Sequence, residues 1–486
     1  MLPPLPRRMV PYLAHPVQTV RILRSDDMAR AFAHERNLAW MQLTGAVAVA
    51  TTAVAVFVAW ARPAIAAALV VELALVIGYR LRNSASGLRH RGLPAGELTR
   101  LATSLIEPGY IAKHTARHGP VFTTSTLARP TVVIAGIERG VQFLRDHRDA
   151  LKVPDRPDSA LVDGEFVRNQ YGDRHRATRS ALAIAFSLRS IEATQPAIDS
   201  AVGRHLASWV GDAVDPAERV DAMVLEIWIS VVFGVDPISD RDLHARLVEL
   251  FESCDYMNPQ TWPHAKAREL HALVVVQAQR AATLAPCALR TLADRAPAAL
   301  ADPVILGNLI HLVHTSRFDV SGLMVWLLYY LARHPTWCDH IRASDDDDPA
   351  DWAVAETLRL SQSEYVIRES TCPISVGDAT VPTGWFVRVA VREAHRDPAL
   401  FGEPTEFQPC RFAAGALGRD RYAPFGLDHR TCLGDELTKA TGRALATAAC
   451  RGYSVRVVAD GPPQVSYFRF WAPSGDLRLQ LDRTQR

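Results

Sequence analysis

The sequence contains no C-x-x-C pair, and its seven cysteines, Cys254, Cys287, Cys338, Cys372, Cys410, Cys432 and Cys450, are scattered and odd in number. That pattern favours neither a zinc cluster nor a disulfide framework, and reads as reduced thiols on the cytoplasmic side of a membrane. An excess of charge is also missing: 54 Lys and Arg against 52 Asp and Glu leave a formal net charge of +2. Nucleic acid as the main partner therefore has no support. There are no repeats, and the one biased stretch is "SDDDDPAD" at 344–351, a solvated acidic loop leading into a helix start at Pro349. With 48% hydrophobic and 22% charged residues, the 486-residue chain buries a sizeable core, without deciding between one large domain and two smaller ones.

Long apolar runs are present, and they come early. Leu38–Ala61 has 24 residues without a charge, enough as a helix to cross a hydrocarbon core of about 30 Å. Arg62 and Pro63 interrupt it, and Ala64–Tyr79 forms a shorter second run carrying Glu72. Arginines crowd both outer flanks, at Arg21, Arg24, Arg30 and Arg36 and at Arg80, Arg82, Arg89 and Arg91, whereas the turn has only Arg62. The positive-inside rule then places both termini and the body of the protein in the cytoplasm. A cleaved signal peptide is a poor rival because the run is too long and starts too late, and a buried helical pair is the other alternative. The expected organisation is a cytoplasmic segment 1–37, a transmembrane hairpin 38–81, a polar linker 82–100 and one catalytic domain 101–486. Within that domain, β-like runs "PVFTTST" and "PTVVIAG" precede a mostly helical stretch from about Gly140.

One cysteine stands apart. "PFGLDHRTCLG" at 424–434 surrounds Cys432 with Gly, Asp, His and Arg, and a helical pattern follows from Gly434. A thiolate just before a helix N-terminus gains from free N–H groups and the positive end of the dipole. Upstream, "AETLRL" puts Glu356 and Arg359 three apart on a helix, a pattern that alone is usually a surface ion pair. About fifty residues on, "FGEPTEFQPCRF" offers Arg411 in a Pro-containing meander just ahead of the cysteine loop.

In this order the pieces resemble the cytochrome P-450 family, the haem-thiolate monooxygenases, from about Leu93 to the C-terminus. Phe425, Gly426, Arg430, Cys432 and Gly434 match the family's loop F-G-x-G-x-R-x-C-x-G, while Asp428 replaces its second glycine. Aspartate is among the residues that best tolerate the left-handed backbone needed there. The resemblance implies a mainly α fold with small β elements, preceded by one or two transmembrane helices. It implies haem b with Cys432 as the iron ligand, and a structural cluster of Glu356, Arg359 and Arg411. It further implies haem-binding roles for His175 and Arg179 in "GDRHRATRSALAIAFS", for Arg368 in "VIREST", and for Phe425, Arg430 and Gly434. "ARHP" at 332–335, "HRDP" at 395–398 and the closing run "LRLQLD" fall where the family has them. The bland alternative, an α-rich membrane-tethered protein with an unrelated reactive cysteine, leaves that order unexplained.

Pro303–Arg333 reads as one long helix with Asp302 as cap, and corresponds to the helix that crosses the distal face of the haem in the family. Where the family usually has A-G-x-[D/E]-T, this chain has Thr315, Ser316, Arg317, Phe318 and Asp319. The usual acid–threonine relay is absent, which makes Asp319, Ser316 and Arg317 the distal candidates. Asp319 either relays protons itself, or meets a hydroxyl or cation on the substrate, or belongs to an enzyme that uses peroxide or catalyses coupling, rearrangement or dehydration. An ion pair, or a bond to Ser316 or Thr315, is its structural alternative. The chain ends 54 residues after Cys432, so the expectation is an apolar small-molecule substrate and electrons from a separate ferredoxin or flavoprotein reductase. A non-catalytic haem-binding membrane scaffold or sensor is the contrasting class.

Overall fold

β-branched runs and long apolar helices sort into two units in the structure, a computed structural model. It describes residues 92–98, 109–126, 129–154, 166–253, 263–362, 366–415, 417–461, 464–465, 471–472 and 475–484, and short helical stretches between 67 and 78. The first apolar run lies outside these residues, whereas most of the second lies within them. Among the described residues, no helix is long and apolar enough to cross a membrane.

In chain order the described elements begin with α1 (Tyr110–His118), β1 (Val121–Thr126), β2 (Arg129–Ala135), α2 (Ile137–Asp146), β3 (Leu151–Lys152), α3 (Gly172–Ala185) and α4 (Leu188–Ser208). β4 (Ala213–Val214), α5 (Pro216–Phe233), α6 (Arg241–Ser253), α7 (His264–Gln279), α8 (Ala288–Arg295), α9 (Pro297–Leu300) and α10 (Pro303–Arg333) follow. Next come α11 (Pro335–Ala343), α12 (Asp348–Thr357), β5 (Val366–Ser370), β6 (Ile374–Val376), β7 (Ala379–Val381), β8 (Phe386–Ala390) and α13 (Val391–Ala394). The chain closes with α14 (Asp435–Gly452), β9 (Tyr453–Ala459), β10 (Gln464–Val465), β11 (Trp471–Ala472) and β12 (Arg478–Arg483).

The first unit comprises residues up to Ala135 together with 147–157 and 367–388. Its sheet has the order β1-β2-β8-β5-β3. β1 and β2 pair antiparallel from Val121↔Ile134 to Thr126↔Arg129, which places the two predicted β runs side by side. Thr124 Oγ1 and the Tyr110 hydroxyl of α1 share a hydrogen bond of 2.8 Å, which satisfies that buried hydroxyl.

The second unit, 136–146, 158–366 and 389–486, is helical, with the small sheet β4-β12-β9. Asp302 caps α10 by accepting from Val304 N at 2.8 Å, and Asp215 caps α5 by accepting from Ala217 N at 2.9 Å. Gly234 ends α5 at φ 66°, a left-handed position where glycine has no Cβ penalty. Apolar faces of α5 (Val220, Met223, Val224, Ile227) and α10 (Val320, Leu323, Met324, Leu327) are buried. Each such side chain contributes roughly 1.5–3 kcal/mol by leaving water. Gly442 of α14 lets that helix close on its neighbours: a Cβ there would meet Val354 at 2.8 Å and Met324 at 3.4 Å.

Candidate active site

The turn before α14 folds around the Cys432 sulfur. Gly426 and Asp428 take φ 88° and 64°, so aspartate does occupy the left-handed position expected for it. Its Oδ1 accepts from Arg430 N at 2.7 Å, which favours that conformation locally. Cys432 N donates to Phe425 O at 2.9 Å, and the N–H of Gly434, the residue that opens α14, donates to Cys432 Sγ at 3.3 Å. The cysteine itself is exposed. An exposed sulfur facing a free helix N–H is arranged to be held as a thiolate.

Cations gather on the same loop. Arg430 donates to Arg168 O (2.8 Å) and Gln170 O (2.7 Å), and its guanidinium lies 4.8 Å from the Tyr171 ring. Arg179 of α3 donates to Thr431 O at 2.6 Å. Burial lowers the Arg179 pKa, and the negative charge of Cys432 is the first influence opposing that, ahead of Asp428 and Asp435. His175, buried on the same helix, lies edge-on to His429 with ring centres 5.6 Å apart. Lys439 sits over the Phe425 ring at 5.5 Å. Arg368 lies on β5 in the first unit, where its Nη1 donates to Ile367 O at 2.9 Å.

Behind the loop, Glu356 is fully buried and engaged on all sides. Arg359 grips it with two bonds of 2.7 and 2.8 Å, Arg411 Nε lies at 3.3 Å, and the Gln408 amide donates to it at 2.9 Å. Arg359 also donates to His395 O (2.7 Å) and Pro404 O (2.8 Å), and Arg411 donates to Glu403 O (2.7 Å). The cluster thus draws Glu356, Arg359 and the meander 403–411 together, mostly through backbone carbonyls. The sequence pattern implied a continuous helix through E-x-x-R; α12 runs to Thr357 and continues without a break as a wider π-helical turn, Leu358–Gln362, that carries Arg359. His395 adds a link that the pattern did not reveal, since Ala423 N donates to its Nε2 at 3.0 Å. Burial and then Arg359 push the His395 pKa down to about 3, which leaves Nε2 free to accept.

On α10 the distal candidates separate. Ser316 and Arg317 face α5. The Arg317 guanidinium forms a two-point ion pair with Asp221, in which Nε lies 2.9 Å from Oδ1 and Nη2 meets Oδ2. Ser321 donates to the same carboxylate at 3.1 Å, and Trp228 Nε1 donates to Ser316 Oγ. Another side of α10 carries His311, stacked on Phe166 at 3.5 Å, and Asn308, which accepts from Val167 N at 2.8 Å. Phe318 is 44% exposed in the middle of this otherwise buried helix, and Asp319 beside it is partly buried. Asp221 and Trp228 have no signature that marks them in advance, because both belong to an ordinary amphipathic helix.

The residues fit a haem. A dianionic iron macrocycle needs an exposed thiolate, donors for two propionates and an open apolar face opposite. Cys432 supplies the first and the Arg179, Arg430, His175 and His429 group the second, and Phe318, 44% exposed on α10, is the candidate for the third.

Comparison with known proteins agrees. The family model described as Cytochrome P450 matches residues 350–476. Abscisic acid 8'-hydroxylase 1 of Oryza sativa subsp. japonica is 26% identical over 376 residues, covering 71% of this chain and 79% of that protein. Cytochrome P450 85A1 of Brachypodium distachyon is 26% identical over 415 residues, 76% of this chain and 89% of that protein. Retinoic acid bound cyanobacterial CYP120A1 shares the fold with a TM-score of 0.64 at 18% identity, over 79% of this chain and 96% of that one. P450BioI in complex with hexadec-9Z-enoic acid ligated acyl carrier protein does so with a TM-score of 0.62 at 20% identity, over 78% and 99%. With the cysteine loop and the Glu356 cluster both inside the matched stretch, the chain is similar to the cytochrome P450 family there, and these likenesses support a haem-dependent monooxygenase.

Proposed function

We propose that the protein is a membrane-anchored monooxygenase that inserts oxygen into a C–H bond of an apolar small molecule. The observation that carries this reading is the Cys432 loop, where an exposed sulfur accepts a helix N–H amid Arg179, Arg430 and His175. Haem b bound there supplies thiolate-ligated iron able to activate an oxygen donor. The chain's own residues do the rest. Cys432 binds the iron, and the Gly434 amide fixes its sulfur. Arg179, Arg430 and His175 neutralise the propionates, and Glu356 with Arg359 and Arg411 holds the meander and the loop in register. Phe318 excludes water from the distal side, and the Asp319 carboxylate takes up and releases the proton that the missing acid–threonine pair would handle. Electrons come from a separate ferredoxin or flavoprotein reductase.

Anchoring rests on the run 38–81. Its described helical residues leave Leu69, Val70, Val71, Leu73, Leu75 and Ile77 exposed, as lipid-facing residues are. The catalytic domain then lies on the cytoplasmic side. Sedimentation with membranes in wild type, lost on deletion of 1–81, supports the anchor; sedimentation that survives the deletion sinks it.

The relatives name an apolar carboxylic acid in three cases: abscisic acid, retinoic acid and hexadec-9Z-enoic acid. These three compounds form the first substrate panel, read by product mass with labelled dioxygen and a surrogate reductase. Label from dioxygen in a product one oxygen heavier supports the monooxygenase. A second reading is favoured by Phe318 standing where the acid would be: the enzyme takes its oxygen from peroxide. Label arriving only from peroxide, without reductase, selects that reading.

A further inference from the structure

Polar contacts lie among the buried apolar side chains of α5 and α10. There Asp221 accepts Arg317 at two points and Ser321 at 3.1 Å, and Trp228 Nε1 donates to Ser316 Oγ, which itself donates to Leu312 O at 2.5 Å. The Arg317 side chain is only 12% exposed, and a second carboxylate, Glu252 in the last turn of α6, reaches it at 4.0 Å from a half-exposed position. These contacts hold residues 316, 317 and 321 against α5, and Thr315, Phe318 and Asp319 leave the helix in other directions, since each residue turns by about 100°.

A charge pair set among apolar side chains is satisfied in one register only. Turning α10 by a single residue would carry the guanidinium off Asp221 and put Phe318, which is apolar, in its place. His314, buried one turn away against Phe251 at 4.7 Å, cannot substitute as a cation, because burial and then Arg317 push its pKa down to about 3.

We propose that Arg317 is a positioning residue: paired with Asp221 and seconded by the Trp228–Ser316 bond, it fixes the rotation of α10. It thereby decides which side chains face the ligand above the haem. This rests on reading α10 as the distal helix.

The test uses purified holoenzyme and two iron ligands, imidazole and the bulkier phenylimidazole, titrated by their Soret shift. If α10 is the distal helix, the bulkier phenylimidazole would sense its rotation more than imidazole does. In Arg317→Gln and in Asp221→Asn, the ratio of the two dissociation constants is expected to change about tenfold, and in the double variant no more than in either single one. The carbon monoxide band of the reduced protein stays as in wild type. An unchanged ratio with a lowered melting temperature would make the pair merely structural and overturn the proposal, as would additive effects in the double variant. If Arg317→Gln does not fold, Trp228→Phe keeps the ring and removes one bond, and is expected to shift the ratio about threefold the same way; an unchanged ratio there overturns the proposal too. A wild-type protein without the carbon monoxide band would instead strike at the haem-thiolate reading itself.

Discussion

Glu356 and Arg317 are each one half of a charged pair in the helical unit, yet they are held in different ways. Glu356 is fully buried and bonded to two arginines and a backbone amide, while Arg359 beside it spends its remaining donors on carbonyls of the meander. Arg317 has Asp221 as its one close partner, with Glu252 at the limit of reach. The cysteine side is therefore a closed network in which no member can leave without orphaning others. Between α5 and α10 the Arg317–Asp221 pair is supported only by the Ser321 and Trp228–Ser316 bonds and by Glu252 at the limit of reach. On the proposed reading, the first would stay fixed during turnover and the second would set the direction of α10.

That contrast gives an order of effects. Glu356→Ala is the most damaging change, because it leaves Arg359 and Arg411 without their carboxylate: an expected loss of about 3–5 kcal/mol in urea unfolding, with haem lost on purification. Haem retained at wild-type occupancy would mean that the loop does not depend on the cluster.

Acid is next. The unfolded His395 has a pKa of about 6.5, whereas the folded one is held at about 3 by burial, so the folded state refuses a proton that the unfolded chain accepts. Its stabilisation is complete above pH 6.5 and drains away as pH falls toward 3, by roughly 1.4 kcal/mol per unit. His314 obeys the same sign. Urea midpoints between pH 7 and pH 4.5 should fall less steeply in His395→Gln than in wild type; parallel slopes would contradict the assignment.

On the distal side, Asp319→Asn is expected to leave the thiolate spectrum and stability intact and to lower turnover about a hundredfold, within the usual range for a lost acid–base group. Equal turnover would remove Asp319 from the proton path. Smallest is Asp428→Gly. It gains a residue suited to φ 64° and loses the Arg430 amide bond, so stability should change by less than about 1 kcal/mol with haem still bound.

The same contrast explains what the sequence revealed. The Cys432 loop and the cluster of Glu356, Arg359 and Arg411 were legible through the family motifs they resemble, since Arg411 is 55 residues from Glu356, and the left-handed Asp428 followed from the family's glycine at that place together with aspartate's tolerance of such a backbone. Long helices such as Pro303–Arg333 announce themselves by cap and length. The widening of the helix to a π-turn at Leu358–Gln362 leaves no mark in the sequence. The partner of Arg317 is 96 residues away on α5, and only tertiary packing selects Asp221 from the other acids on the chain. Phe318 stands in the sequence at the place of the family's acid, but its exposure on a largely buried helix shows only in the structure.

The most direct measurement is the visible spectrum of the reduced, carbon monoxide-bound protein in wild type and in Cys432→Ser. A strongly red-shifted Soret band in wild type that disappears in the variant is the predicted result. A wild-type protein without haem, or a band indifferent to the substitution, would contradict the account, since every role assigned to α10 depends on iron held by that sulfur.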